Sequence, residues 1–373
     1  MRSATDILRE LVSIPSVSSM SNRPVIEAAA RMLEGSGWTT RQFPYRDAGG
    51  VEKVNLIARP GHQAALTHAD LAFVCHTDTV PFIPEAWLGA TVLEERSGFL
   101  HGCGACDVKG SLAGILAAVF QTEAVVIDDS VALILTADEE VGCVGATHLL
   151  AEPVLRARTV IVCEPTSLRP GVAGKGYGLA EVRVVGKEAH SAFPQQGSSA
   201  IYAAAKMMLA IESNKHTAAS NELFDPPWTT FNVGTVHGGT AKNIVPGECH
   251  FLVEWRPIPD EDPAAAAGWL KNLAERTQHE NPGCAVYVDI RRAEAGFAYS
   301  PDSPLVRTLS ARFGRQPTGI SFGSEATRFA KIADEVVVVG PGDMHTAHSE
   351  RECVPVREME EWTAILGKLL RRA

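Results

Sequence analysis

Four short apolar runs constrain this chain more than any other feature: LAFVC (71–75), VALILT (131–136), TVIVC (159–163) and EVVVVG (335–340). Each is continuous and rich in β-branched residues, the pattern of a strand covered on both faces of a largely parallel sheet. Helix-like segments lie between some of them, SLAGILAAVF from Ser111 and GATHLLAEPVL from Gly145. Such alternation implies an α/β unit. Before the first run, apolar residues at helical spacing (Ile7, Leu8, Leu11, Val12) stop at Ile14-Pro15, and a second helix fits 24–36, closing at Gly37.

The residues at the carboxyl end of each run carry the chemistry. The first run leads into His76 and Asp78, the second into Asp138, Glu139 and Glu140, the third into Glu164, and the fourth into His345 and His348. In open α/β sheets, ligands gather outside the carboxyl ends of the strands, so one rim should collect these side chains. His, Asp and Glu suit a divalent cation, and imidazole favours zinc. A two-metal site needs a bridging carboxylate, terminal ligands for each ion and a free acid/base group. Asp107, in HGCGACDVKG (101–110), could bridge; His76 and Glu164 could hold one ion, Glu140 and His348 the other, with Glu139 left as base. Taken singly, each piece has an ordinary structural reading, and His345 competes with His348. The conjunction at four strand ends is what points to a metal centre.

Between 178 and 293 the texture changes. GLAEVRVVG alternates like a half-exposed strand, SSAIYAAAKMMLAI reads as a helix, and TTFNVGTVHG and GECHFLVEWR read as strands. AAAAGWLKNLAERT then reads as a helix and CAVYVDIRR as a strand. The order β-α-β-β-α-β is ferredoxin-like. The expected organisation is therefore an α/β domain built from 1–177 and 294–373, with 178–293 inserted.

Seven stretches resemble the M20 metallopeptidase family, in the family's order and across nearly the whole chain: FVCHTDTVP (73–81), HGCGACDVKG, TADEEVGCVGA (136–146), VCEPTS (162–167), GKEAHSAFP (186–194), AKNIVPGE (241–248) and TAHSERE (346–352). The resemblance implies a zinc-peptidase-like catalytic domain with a mixed, mainly parallel sheet, and a lid and dimerisation domain over 178–293. Two divalent ions, zinc with cobalt or manganese as substitutes, would be held by His76, Asp107, Glu140, Glu164 and His348, with Asp107 bridging. It implies Asp78 as the carboxylate orienting His76, Glu139 as general acid/base, and His190 reaching the partner subunit's site in a homodimer to stabilise an oxyanion. Asn243 and Arg256 would bind substrate. Within the family, FGSEATRF followed by VVVVGPGDMHTAH is similar to the deacetylases of N2-acetyl-L-ornithine, and Glu325 would favour a substrate carrying a side-chain amine. The implied reaction is hydrolysis of an N-acyl amino acid, N2-acetyl-L-ornithine to L-ornithine and acetate. A succinyl-diaminopimelate desuccinylase or another M20 deacylase or dipeptidase is the alternative.

Composition removes other classes. A net charge of −10 without any basic run opposes a nucleic-acid partner. No stretch approaches the roughly 18 apolar residues of a membrane span, and Asp6, Arg9 and Glu10 interrupt the N-terminus where a signal peptide would be apolar, so no membrane partner and a cytoplasmic location are expected. Eight cysteines in 373 residues are too sparse for a disulfide scaffold. Cys103 and Cys106 form a C-x-x-C that reads as a redox pair or half a zinc knot, but Cys143 is isolated and Asp107–Gly110 intervenes before the next helix.

Overall fold

The computed structural model describes residues 2–61, 67–87, 89–214 and 219–371. Its contacts divide the chain into two compact units, Met1–Val172 with Tyr299–Thr318 and Ser324–Ala373, and Ala173–Ala298 with Gly319–Gly323. In the first unit the sheet runs in the spatial order Trp38–Arg46, Glu52–Pro60, Val131–Thr136, His68–His76, Arg156–Val162, Ala333–Val338. The first two neighbouring pairs are antiparallel and the next three parallel, so the fold is α/β with a mixed sheet whose buried centre is parallel. All four expected runs are among the parallel strands, and Val131–Thr136 is buried along its whole length. A parallel strand is covered by helices on both faces, which explains why these runs are continuous rather than alternating.

Helix Lys109–Gln121 is buried from Lys109 through Val119 and packs against helices Ala4–Val12 and Val356–Leu369. Gly114 permits this closeness, since a Cβ there would sit 2.5 Å from Trp362 Cδ1. The Trp362 indole donates to the Ser111 carbonyl (3.2 Å), which satisfies the polar edge of a side chain that is otherwise core. Helix Arg23–Glu34 packs on the Glu52–Pro60 strand with Val25, Ile26, Ala29 and Leu33 buried.

The second unit is an antiparallel sheet in the order Thr230–Gly238, Glu248–Arg256, Tyr177–Val185, Ala285–Glu294. Helices Ala200–Glu212 and Pro263–Glu280 complete a β-α-β-β-α-β unit. Alternation sorts the side chains here: Cys249, Phe251, Val253 and Trp255 face a core shared with Val182, Val184, Met207 and Leu270, while Glu248 and Leu252 are exposed. Gly178 is required by that core, because a Cβ would fall 1.8 Å from Trp255 Cε2.

Candidate metal centre

Parallel register aligns the strand ends. His76 pairs with Thr136, and Val74 with Val162, so Glu164 lies two residues beyond a position already level with Val74, at the rim that holds His76. Val338 pairs with Val162, which brings the chain toward His348 from the same rim. A slip of two residues in any strand would move its ligand about 6.6 Å along the strand axis, beyond the reach of a shared cation.

At this rim His76 Nε2 lies 2.9 Å from Asp107 Oδ1, and His348 Nε2 lies 3.2 Å from Asp107 Oδ2 and 3.1 Å from Glu140 Oε1. The two oxygens of one carboxylate thus face two different imidazoles, the arrangement of a bridging ligand. Donor atoms of His76, Asp107 and Glu140 all lie within 4.8 Å of one another, the only such group among the described residues. Separations near 3 Å are close to the roughly 3.3 Å between two donors on one tetrahedral zinc with bonds of about 2.0–2.1 Å. Asp107 is also joined to Val108 through a cis peptide bond.

Electrostatics supports the same reading. Burial opposes the charge on Asp107, but hydrogen bonds from His348 and His76 hold its carboxyl well below the usual range. Burial pushes Glu164 and Glu139 far up, with Asp107 adding to each, and raises Glu140 against the pull of His348. His348 is raised to about 10 by hydrogen bonds to Asp107 and Glu140. His76 is raised well above its ordinary value: burial acts against its charge, and Asp107 overrides burial. Carboxyls packed this closely with so few cationic groups form a donor set that divalent cations would neutralise, and the residues present fit such ions.

Asp78 is placed differently from the sequence reading. Its backbone carbonyl, 3.0 Å from His76 Nδ1, makes the contact that orients the imidazole, whereas its carboxylate Oδ1 is 3.8 Å away. That carboxylate accepts the amides of Glu139 (3.1 Å) and Glu140 (3.3 Å) and the Ser18 hydroxyl (2.8 Å). Asp138, in the left-handed region at φ 56°, is pinned by Lys53 Nζ (2.7 Å) and by the Tyr45 hydroxyl (2.7 Å). Lys53 and Asp138 are both essentially fully buried, so the turn that presents Glu139 and Glu140 is built on an internal ion pair. Sequence reasoning assigned no role to Lys53, Tyr45 or Ser18, which no local spacing connects to the acidic triplet.

The other expected residues divide between the rim and the second unit. His345 turns away to Asp343 Oδ1 (2.7 Å) and is 94% exposed, so His348 is the imidazole at the centre. Glu325 is 1% exposed, and its Oε2 accepts the Thr136 hydroxyl (2.8 Å) while Oε1 has no partner. Burial lifts its carboxyl to about 7, a placement at odds with direct contact to a substrate ammonium. In the second unit, His190 lies exposed on the short strand that pairs with Ile244–Val245. Its Nδ1 accepts the Ala192 amide (3.1 Å), which leaves Nε2 as the protonated nitrogen of a neutral ring. The Asn243 carbonyl accepts the Ser191 amide (3.0 Å) beside it. Arg256 pairs with Glu254 (3.0 Å) and stacks on Tyr177 at 4.6 Å. Cys103 and Cys106 are buried free thiols, and burial pushes Cys103 up to about 12, away from the thiolate that redox chemistry requires.

Residues 72–372 match the model of peptidase family M20/M25/M40. An acetylornithine deacetylase from Myxococcus xanthus is 40% identical over 364 residues, 97% of this chain and 95% of that protein. An acetylornithine deacetylase from Salmonella heidelberg (strain SL476) is 30% identical, covering 94% and 93% of the two chains. Among solved structures, a tripeptidase from Staphylococcus aureus superposes with a TM-score of 0.78 at 21% identity, covering 98% of this chain and 96% of the other. A dinuclear metal-binding peptidase of the M20 family from Bacillus subtilis gives 0.70 at 15%, covering 98% and 97%. Fold and rim together define a metal-dependent hydrolase of amide bonds. The chain belongs to the M20/M25/M40 peptidase family.

Proposed function

We propose that this enzyme removes the acyl group from an N-acyl amino acid, hydrolysing N2-acetyl-L-ornithine to L-ornithine and acetate. The observation that carries the reading is Asp107, with His76 on one carboxylate oxygen and His348, itself beside Glu140, on the other. The 40% identity to a relative bearing the name acetylornithine deacetylase supports the choice of substrate. In this reading His76, Glu164, Glu140 and His348 hold two divalent ions, zinc with cobalt or manganese as substitutes, and Asp107 is shared. Bound ions of this kind polarise a carbonyl and make water acidic near neutral pH.

Glu139 then acts as the acid/base. Its raised pKa lets it accept a proton from the attacking water and return it to the departing amine nitrogen as the C–N bond breaks. Asp78 keeps the Glu139 and Glu140 amides fixed while this occurs. His190 of the partner subunit, in a homodimer formed through the 178–293 domain, donates Nε2–H to the developing oxyanion. Asn243 and Arg256 bind the substrate carboxylate, for which a guanidinium offers paired donors. A cytoplasmic enzyme of arginine synthesis fits this substrate, and no helix among the described residues is long and apolar enough to cross a membrane.

The test is a steady-state comparison of N2-acetyl-L-ornithine and N-succinyl-diaminopimelate on enzyme loaded with zinc or cobalt. A higher kcat/KM for the acetyl substrate supports the reading. Preference for the succinyl compound moves the assignment to the desuccinylases, and hydrolysis of neither sinks it.

A further inference from the structure

We propose that Glu352 is a positioning residue for the metal centre, holding the backbone that carries Asp107 and tying it to the segment that carries His348. This rests on the metal reading above. Glu352 is 1% exposed and is separated from Asp107 by 245 residues of sequence, yet its Oε1 accepts the Asp107 amide (3.1 Å) and the Cys106 amide (2.9 Å). The Gly104 amide also donates to its carboxylate. The Glu352 carbonyl receives the Gly102 amide, and strand Cys353–Pro355 pairs with Phe99–His101 just before the loop begins.

The other amides of this loop find backbone acceptors. Cys103 N–H bonds the Ala90 carbonyl, Ala105 the Gly102 carbonyl, and Lys109 the Gly104 carbonyl. The Glu352 side chain is therefore the acceptor for the amides of Gly104, Cys106 and Asp107. Fixing the Asp107 amide fixes the direction of its Cα–Cβ bond, hence where Oδ1 and Oδ2 point. On the Glu352 side the Glu352 amide bonds the Ser349 carbonyl (2.9 Å), one residue after His348. One side chain thus sets the spacing between the bridging carboxylate and an imidazole that faces it. Outer partners of this kind typically change metal affinity by about 10–100-fold when removed.

Cobalt(II) is titrated into chelator-treated protein, following both binding heat and the visible d–d absorption. Glu352→Gln keeps an oxygen acceptor in the same place and should bind cobalt within about 3-fold of the parent with the same spectrum. Glu352→Ala should weaken binding by about 10–100-fold and alter the absorption band, since the loop amides lose their acceptor. Glu352→Asp, one methylene shorter, should do the same in part and serves if the Ala variant does not fold. A purely structural role would lower the melting temperature of the cation-free protein but leave cobalt affinity and spectrum unchanged in the folded variants, and that result overturns the proposal. Parent protein that binds no cobalt would overturn the metal reading itself, and the two failures are distinct.

Discussion

Replacing Lys53 by Met removes one partner of the ion pair beneath the acidic turn. Lys53 Nζ donates to Asp138 Oδ1 (2.7 Å) and to the carbonyls of Ser18 and Met20 (2.9 Å), and all of these partners lie inside the first unit. Methionine restores the aliphatic contacts but leaves the Asp138 carboxylate with only the Tyr45 hydroxyl. Breaking a buried pair by removing one charge costs about 3–5 kcal/mol, because the survivor stays desolvated. In a unit of this size the loss should appear as a fall of about 6–20 °C in melting temperature. Thermal melts of chelator-treated protein measure it without a contribution from bound ions. Adding Asp138→Asn should recover part of the loss, since the orphaned charge is gone, giving a coupling of about 0.5–3 kcal/mol. A Lys53→Met melting temperature within about 2 °C of the parent, or strict additivity in the double variant, would refute the claim that this ion pair braces the turn.

Glu139→Gln should keep the cation content of the parent, measured by atomic absorption, and lose about 10²–10⁴-fold in kcat, the usual size of a general acid/base contribution. His348→Ala should weaken cobalt binding in calorimetry, whereas His345→Ala should leave it unchanged, because His345 faces Asp343 and solvent. Chelation should abolish turnover and lower the melting temperature, with recovery on adding zinc; at a free-ion concentration 1,000 times Kd the stabilisation is about 4 kcal/mol. Lys109 supplies a pH test: burial depresses its folded pKa to about 8 from 10.5. The unfolded chain therefore binds the extra proton between those values, so stability should rise with pH from about 8 to about 10.5, by up to about 3 kcal/mol. Lys109→Met should flatten that rise in urea titrations, and an unchanged slope would exclude the assignment.

The strands that carry the ligands were legible because burial on both faces leaves no freedom in composition: LAFVC, VALILT, TVIVC and EVVVVG can be little else. The hairpin strand Trp38–Arg46 was not, since WTTRQFPYR is an exposed edge with no continuous apolar run. In the second unit, period-two alternation announced each strand, but the five residues Gly319–Gly323 that also belong to it carry no such signal.

Sequence alone determined which residue types stand at the ends of the parallel strands, because a ligand must come directly after its strand and local order records that. It did not determine what holds them. The choice of the Asp78 carbonyl over its carboxylate for His76, the Lys53–Asp138 pair and the grip of Glu352 on the Asp107 loop all join residues from 2 to 245 positions apart. Hydrogen bonds are decided by where donors and acceptors lie within about 3 Å in space, and sheet register and loop path alone set those distances.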